Sequence, residues 1–301
     1  MFTVIQRKSI ASDISLLEVF APRIASAILP GQYVMVKPTA KSREVVLPVY
    51  GWNEDAKTVT VLVHVTDAAT EMLAHNQEIS VFADMRGPLG KPSDLTECND
   101  RELIQSRMLF VADGCASASA LAQLTWLHRI GCQADVLVSA KNKNELLFIS
   151  ELEKVSRNVY LATDDGSVGF HGPAAQLLAI LLNKNDQGYD LVMAVGTLGM
   201  MKAVSNAMQG HGILTITNFI HLLSDNTALN PGFRLSVDGQ MKEVATDGPE
   251  FYGSLVDFEQ AHSRLSISLK VSGDEVKSSE SAAKVHEMNK NQADRPIHKQ
   301  A

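Results

Sequence analysis

The first third of the chain is built from short stretches in which apolar and polar residues alternate. Residues 31–36, 58–65 and 78–82 alternate or run apolar, and Pro, Gly, Asn and Asp break the chain between them. Short, evenly spaced strands of this kind predict a small antiparallel β-barrel over residues 1–97. From about residue 103 the pattern changes. Residues 108–112 form a continuous apolar run suited to a strand buried on both faces, and residues 118–130 follow as a helix. Further apolar strands are expected at 134–139, 159–163, 191–195 and 213–217, with helical segments between most of them. Strand–helix alternation with wholly apolar strands predicts a doubly wound parallel sheet over 103–223. The fold class is therefore β plus α/β. Residues 271–301 are polar, of mixed charge and without aromatic side chains, which predicts a disordered tail.

Composition narrows this picture. A chain of 301 residues is long enough for two cores, and 45% hydrophobic with 20% charged residues is an ordinary globular balance. The net charge of −7 gives no reason to expect nucleic acid or an anionic membrane as partner. No run of 18 apolar residues is present, so no membrane span is expected. The first residues carry no apolar signal core, which points to the cytoplasm. Cys98, Cys115 and Cys132 are too scattered for a disulfide framework or a C-x-x-C metal site. The nine histidines include no i, i+4 pair, so no metal site is assigned. Cys115, beside a strand end, reads as a small apolar residue rather than a reactive thiol.

Several motifs occur in a telling order. Ala21-Pro22-Arg23-Ile24-Ala25 precedes Pro30-Gly31-Gln32-Tyr33-Val34. Gly87-Pro88-Leu89-Gly90-Lys91-Pro92-Ser93 and Thr163-Asp164-Asp165-Gly166-Ser167-Val168-Gly169 follow. Val195-Gly196-Thr197-Leu198-Gly199-Met200-Met201-Lys202 and Asp247-Gly248-Pro249-Glu250-Phe251 close the series. Over residues 2 to about 258 the chain resembles the ferredoxin–NADP reductase superfamily. Within it, the chain resembles the electron-transfer subunits of dihydroorotate dehydrogenase and of NADH-dependent ferredoxin:NADP oxidoreductase. The first two motifs resemble the family's first barrel strands, and the third its barrel-exit turn.

That resemblance implies FAD on the barrel, NAD(P)H on the α/β domain, an iron–sulfur segment at 224–258 and a larger flavoprotein subunit as partner. The residues it assigns to the cofactors are Arg43, Leu47, Pro48, Val49, Thr70, Gly87, Gly114, Asp164, Asp165, Gly166, Gly196 and Met200. It assigns no catalytic residue. The departures from the family pattern fall on these same sites. The three thiolate positions of the cluster align with Asn230, Phe233 and Ala245, and only the aspartate ligand, Asp225, survives. Amide, phenyl and methyl groups cannot replace thiolates on iron, so no 2Fe–2S cluster is expected. Glu44 stands where the family has its flavin-binding arginine, and Pro48 where it has a hydroxyl. Arg43 fills the arginine's place only with a one-residue shift, which turns a strand residue to the opposite face. Tyr50 reads as a solvent-facing strand tyrosine, with stacking on a flavin as the other reading.

The phosphate-binding turns change as well. Asp67-Ala68-Ala69-Thr70 replaces a glycine-rich turn whose N–H groups meet the flavin pyrophosphate. Val111-Ala112-Asp113-Gly114-Cys115-Ala116 keeps one of three dinucleotide-turn glycines, and Asp113 reads as a helix cap. Two readings result: an electron-transfer subunit carrying FAD and NAD(P)H without its cluster, or a cofactor-poor paralogue kept as a docking subunit.

Overall fold

The computed structural model describes residues 2–184, 188–224 and 232–266. Asp225, Asn230 and the 271–301 tail lie outside the described residues. Seven strands build the first sheet: β1 (Phe2–Ala11), β2 (Ile14–Phe20), β3 (Tyr33–Lys37), β4 (Val45–Asn53), β5 (Thr58–His64), β6 (Val81–Phe82) and β7 (Asp84–Leu89). They lie in the order β6-β1-β2-β5-β4-β3-β7, every pair antiparallel. Strands β6 and β7 adjoin in sequence yet sit at opposite ends of the sheet, so it curls into a nearly closed barrel. Leu17, Val34, Leu47, Val61 and Val63 fill its interior.

Two expectations change here. Residues 21–25 do not join the first strands. Pro22 sits in the first turn of a short helix, α1 (Pro22–Ala25), where its missing N–H costs nothing. The strand expected at 78–82 shrinks to Val81–Phe82, because Asn76 takes the amides of Glu78 and Ile79 into a turn. Helix α2 (Ala68–His75) leads into that turn.

The second body begins with α3 (Asp100–Gln105) and continues β8 (Met108–Asp113), α4 (Ser117–Arg129), β9 (Asp135–Ala140), α5 (Ile149–Val155), β10 (Val159–Thr163), β11 (Phe170–His171) and α6 (Ala174–Lys184). It then adds β12 (Leu191–Val195), α7 (Leu198–Met208), β13 (Leu214–Asn218) and α8 (Ile220–Ser224). The sheet order is β11-β10-β9-β8-β12-β13, all parallel. From β8 the chain builds outward to β11, then returns to β12 on the other side of β8. The C-terminal ends of β8 and β12 thus form the switch point at which open α/β sheets bind ligands. Leu109, Phe110, Val111 and Ala112 are fully buried, as their unbroken apolar run required.

The last segment is ordered over its described residues. A hairpin, β14 (Arg234–Val237) and β15 (Gln240–Glu243), leads through α9 (Val244–Asp247) to β16 (Glu250–Tyr252). Strand β16 adds an antiparallel edge to β13. Phe233 and Ala245, on two of the family's thiolate positions, are each 7% exposed within the apolar core.

Candidate functional site

The barrel face of the site is set by Asp67. Its carboxylate Oδ1 accepts from the backbone N–H of Ala69 (3.0 Å) and Thr70 (2.9 Å) at the start of α2. The Thr70 hydroxyl in turn accepts from Asp67 N–H at 2.9 Å, which completes a capping box. Asp67 Oδ2 is ion-paired with the Arg43 guanidinium. Burial pushes the Asp67 carboxyl up, but the bonds from Thr70 and Arg43 outweigh it and hold the group below the usual carboxylate range. A carboxylate of the chain itself therefore takes the helix N–H groups and the cation that would meet a phosphate. Arg43 and Thr70 do come together, but around Asp67. Glu44, just before β4, pairs with Arg86 on β7, across the intervening strand β3.

Alternation along β4 decides what its other residues meet. Val45, Leu47 and Val49 point into the barrel core, whereas Val46 and Tyr50 join the core shared with the second body. Pro48 is buried opposite Tyr33. Tyr50 is not solvent-facing: its ring lies 5.1 Å from that of Phe148, tilted by 49°. Burial, with the charge of Glu151 added, pushes its phenol up to about 12. The recess left between β4 and the second body is only about 20 Å³, room for little more than one water, and is lined by Gln32, Val49, Trp52, Ser119, Gln123 and Asn218 among others.

At the switch point, Asp113 ends β8 and makes no capping bond, contrary to the reading as a helix cap. Its Oδ2 instead accepts from the Thr197 hydroxyl at 2.9 Å, across the mouth between β8 and β12. Burial and the nearby Asp164 charge raise its pKa, against bonds from Thr197 and Ser139. Gly196 has a φ of +153°, and a side chain there would lie 2.5 Å from the Asp113 Cβ and 2.9 Å from the Met200 methyl. The close approach of Asp113 and Met200 leaves no room for a side chain at Gly196. Gly114, with φ +53°, has open space around it. The Asp164–Asp165–Gly166 turn is held locally: Asp165 Oδ1 accepts from Ser167 N–H at 2.9 Å, and the Ser167 hydroxyl together with that N–H lowers the Asp165 pKa. Gly166 meets the His171 ring.

The motifs that match the family best touch one another. Lys91 N–H, in the barrel-exit turn, donates to Gly248 O at 2.6 Å, and the Tyr33 hydroxyl donates to Ala245 O at 3.0 Å. Gly87 lies close against Val34, and Gly90 against Tyr33 and Gly248. The Glu250 carboxyl is enclosed at the centre of this junction. Its Oε1 accepts from Gln123 (2.6 Å) and Asn218 (2.9 Å), while Oε2 has no partner. Burial raises its pKa, opposed by Ser93, Gln123 and Asn218. The Ser93 hydroxyl lies beside it outside hydrogen-bonding geometry. Gln123, Asn218, Thr197 and Phe148 carried no sequence signal, since each acts through a contact distant in sequence.

These residues do not fit the family's cofactors. Asp67 caps α2 with its own carboxylate, β4 packs on α4 and α8, and two carboxylates stand at the switch point. Phe233 and Ala245 offer no ligand to iron. Among the described residues, no group of three His, Cys, Asp or Glu side chains is placed to hold a metal ion.

No family model matches the chain. An uncharacterized protein in the adh 3′ region of Clostridium beijerinckii is 31% identical over 89% of this chain and 90% of its own length. A dihydroorotate dehydrogenase B (NAD(+)) electron transfer subunit homolog of Thermotoga maritima is 26% identical over 87% of this chain and 89% of its own length. Among solved structures, an NADH-dependent reduced ferredoxin-NADP oxidoreductase shares the fold. Its TM-score is 0.75 at 24% identity, covering 92% of this chain and 98% of that one.

Proposed function

The chain belongs to the ferredoxin–NADP reductase superfamily, among its electron-transfer subunits, and we propose that it serves there as a docking subunit without resident cofactors. The observation that carries this reading is the Asp67 carboxylate at the N-terminus of α2, with Arg43 paired to it. An attached carboxylate reaches those N–H groups without the translational entropy a free ligand loses. A flavin pyrophosphate would have to displace it and then sit beside its charge. The junction from Tyr33 and Lys91 to Ala245 and Gly248 supports the same reading, because the chain's own bonds join the barrel to the last segment.

On this reading the partner is a larger oxidoreductase subunit, as the relatives' description as electron-transfer subunits suggests. A 2Fe–2S cluster is absent, because Phe233 and Ala245 supply packing in place of thiolates. No helix among the described residues is long and apolar enough to cross a membrane, and a cytoplasmic location suits such a subunit. A second reading, an electron-transfer subunit carrying FAD and NAD(P)H, is favoured by one observation. Arg43 and Thr70 remain at the α2 N-terminus, and a rotation of Asp67 would turn its carboxylate away from both. The visible absorption spectrum of the purified protein tests the choice. A colourless protein is expected; a stoichiometric flavin band would overturn the docking reading.

A further inference from the structure

We propose that Cys115 is a nucleophilic thiol, with His221 as its base and Ser119 fixing the imidazole, and that its substrates are small soluble disulfides. Cys115 lies in the single turn between β8 and α4, beside the switch-point mouth, and is partly exposed. Its Sγ is 3.9 Å from Nδ1 of His221, on α8. The other ring nitrogen, Nε2, is 3.1 Å from the Ser119 hydroxyl on α4. His221 and Ser119 are 5% and 7% exposed, so the imidazole is held by packing as well as by its bonds. A nucleophile within reach of a base, itself oriented by a third group, is the general arrangement of an activated thiol. When Nε2 carries its hydrogen toward Ser119, the Nδ1 lone pair faces the thiol. The sequence hides this group, because the three side chains are brought together from positions 106 and 102 residues apart.

The other two cysteines serve as internal contrasts. Cys98 is exposed and its thiol lies 3.8 Å from Asp94 O. Cys132 is buried, donates to Leu103 O at 3.1 Å, and burial pushes its thiol up. Neither has an imidazole among its described contacts.

The chemistry balances without an external oxidant beyond the disulfide itself. His221 takes the thiol proton, and the Cys115 thiolate attacks one sulfur of the small disulfide. The S–S bond breaks as the mixed disulfide forms, and the departing thiolate recovers the proton from the imidazolium. Cys115 is thereby oxidised and half of the small disulfide is reduced. None of this uses a flavin or nicotinamide, so the site stands apart from the docking reading.

The test is alkylation of the full-length protein with limiting iodoacetamide at pH 7, read by peptide mapping as the ratio of Cys115 to Cys98 labelling. An ordinary thiol is only a few per cent ionised at that pH, so activation leaves room for about a tenfold advantage. Cys115 is expected to react faster than the more exposed Cys98, and to form the mixed disulfide first with glutathione disulfide. His221→Gln should bring its rate to that of Cys98 or below. Ser119→Ala, a small change inside a helix, should lower it several-fold and carries the test should the histidine variant misfold. Slower labelling of Cys115 than of Cys98, or a ratio unmoved by both variants, overturns the proposal.

Discussion

Replacing Glu250 probes the junction that joins the two bodies. Its Oε1 is the acceptor for both the Gln123 and Asn218 amides. Glu250→Ala leaves two enclosed N–H groups without an acceptor, at about 1–3 kcal/mol each, so a loss of about 2–6 kcal/mol is expected. Glu250→Gln keeps the acceptor and removes the charge. The pH dependence separates this account from simple packing. Burial raises the Glu250 pKa above its unfolded value. The native state therefore binds the proton more tightly than the unfolded chain. The stability this contributes is complete below the unfolded value near 4.5 and is lost as pH rises through the folded value. Each unit of separation is worth about 1.4 kcal/mol. Urea melts of wild type and Glu250→Gln should nearly coincide below pH 4.5. The difference should then move in favour of Gln as pH rises, and level off. Asp113 is also raised, but it titrates in both proteins and cancels in the difference. A gap that is the same at pH 4 and pH 8, or a Gln variant as unstable at neutral pH as the Ala variant, would refute this reasoning.

Three other outcomes are expected. Gly196→Ala should cost about 2 kcal/mol or more in thermal melts, because the new methyl meets Asp113 in a backbone conformation that disfavours side chains; Asp113→Gly in the same chain should restore part of it, and full additivity would count against the contact. Phe233→Ala should cost about 3 kcal/mol and make 232–258 the first protease-cleaved part of the described core, since Phe233 fills buried apolar space; unchanged protection would show that it carries no such role. Anaerobic reconstitution with iron and sulfide should give no cluster-type EPR signal on reduction, and stoichiometric iron would contradict the replacement of thiolates by Phe233 and Ala245.

Much of the fold was legible because its signals are local. The apolar run over 108–112 and the alternation over 58–65 each dictate one kind of strand, found as Met108–Asp113 and Thr58–His64. Sterics also explain why Pro22 begins a helix, which the resemblance to barrel strands obscured. The site was legible only in part. Asp67 and Asp113 were visible as acidic departures from glycine turns, but not their partners. Nothing in the local sequence says that Asp67 would meet Arg43, or Asp113 the hydroxyl of Thr197, 84 residues away. Tyr50 was misjudged for the same reason: its exposure depends on Phe148, which the second body brings to it. The neighbour His221 of Cys115 is hidden in the same way, since only the fold brings it within 3.9 Å.

The central claim, that Asp67 occupies the place of a flavin phosphate, is tested most directly by calorimetric titration of FAD into wild type and Asp67→Gly. The variant gives up a helix cap worth about 1 kcal/mol, or less where Gly itself caps, and removes the carboxylate that now meets Arg43 and the N–H groups of Ala69 and Thr70. Wild type should give no saturable heat, and Asp67→Gly a measurable one-to-one isotherm. Saturable binding by the wild type with an affinity that Asp67→Gly leaves unchanged would contradict the claim.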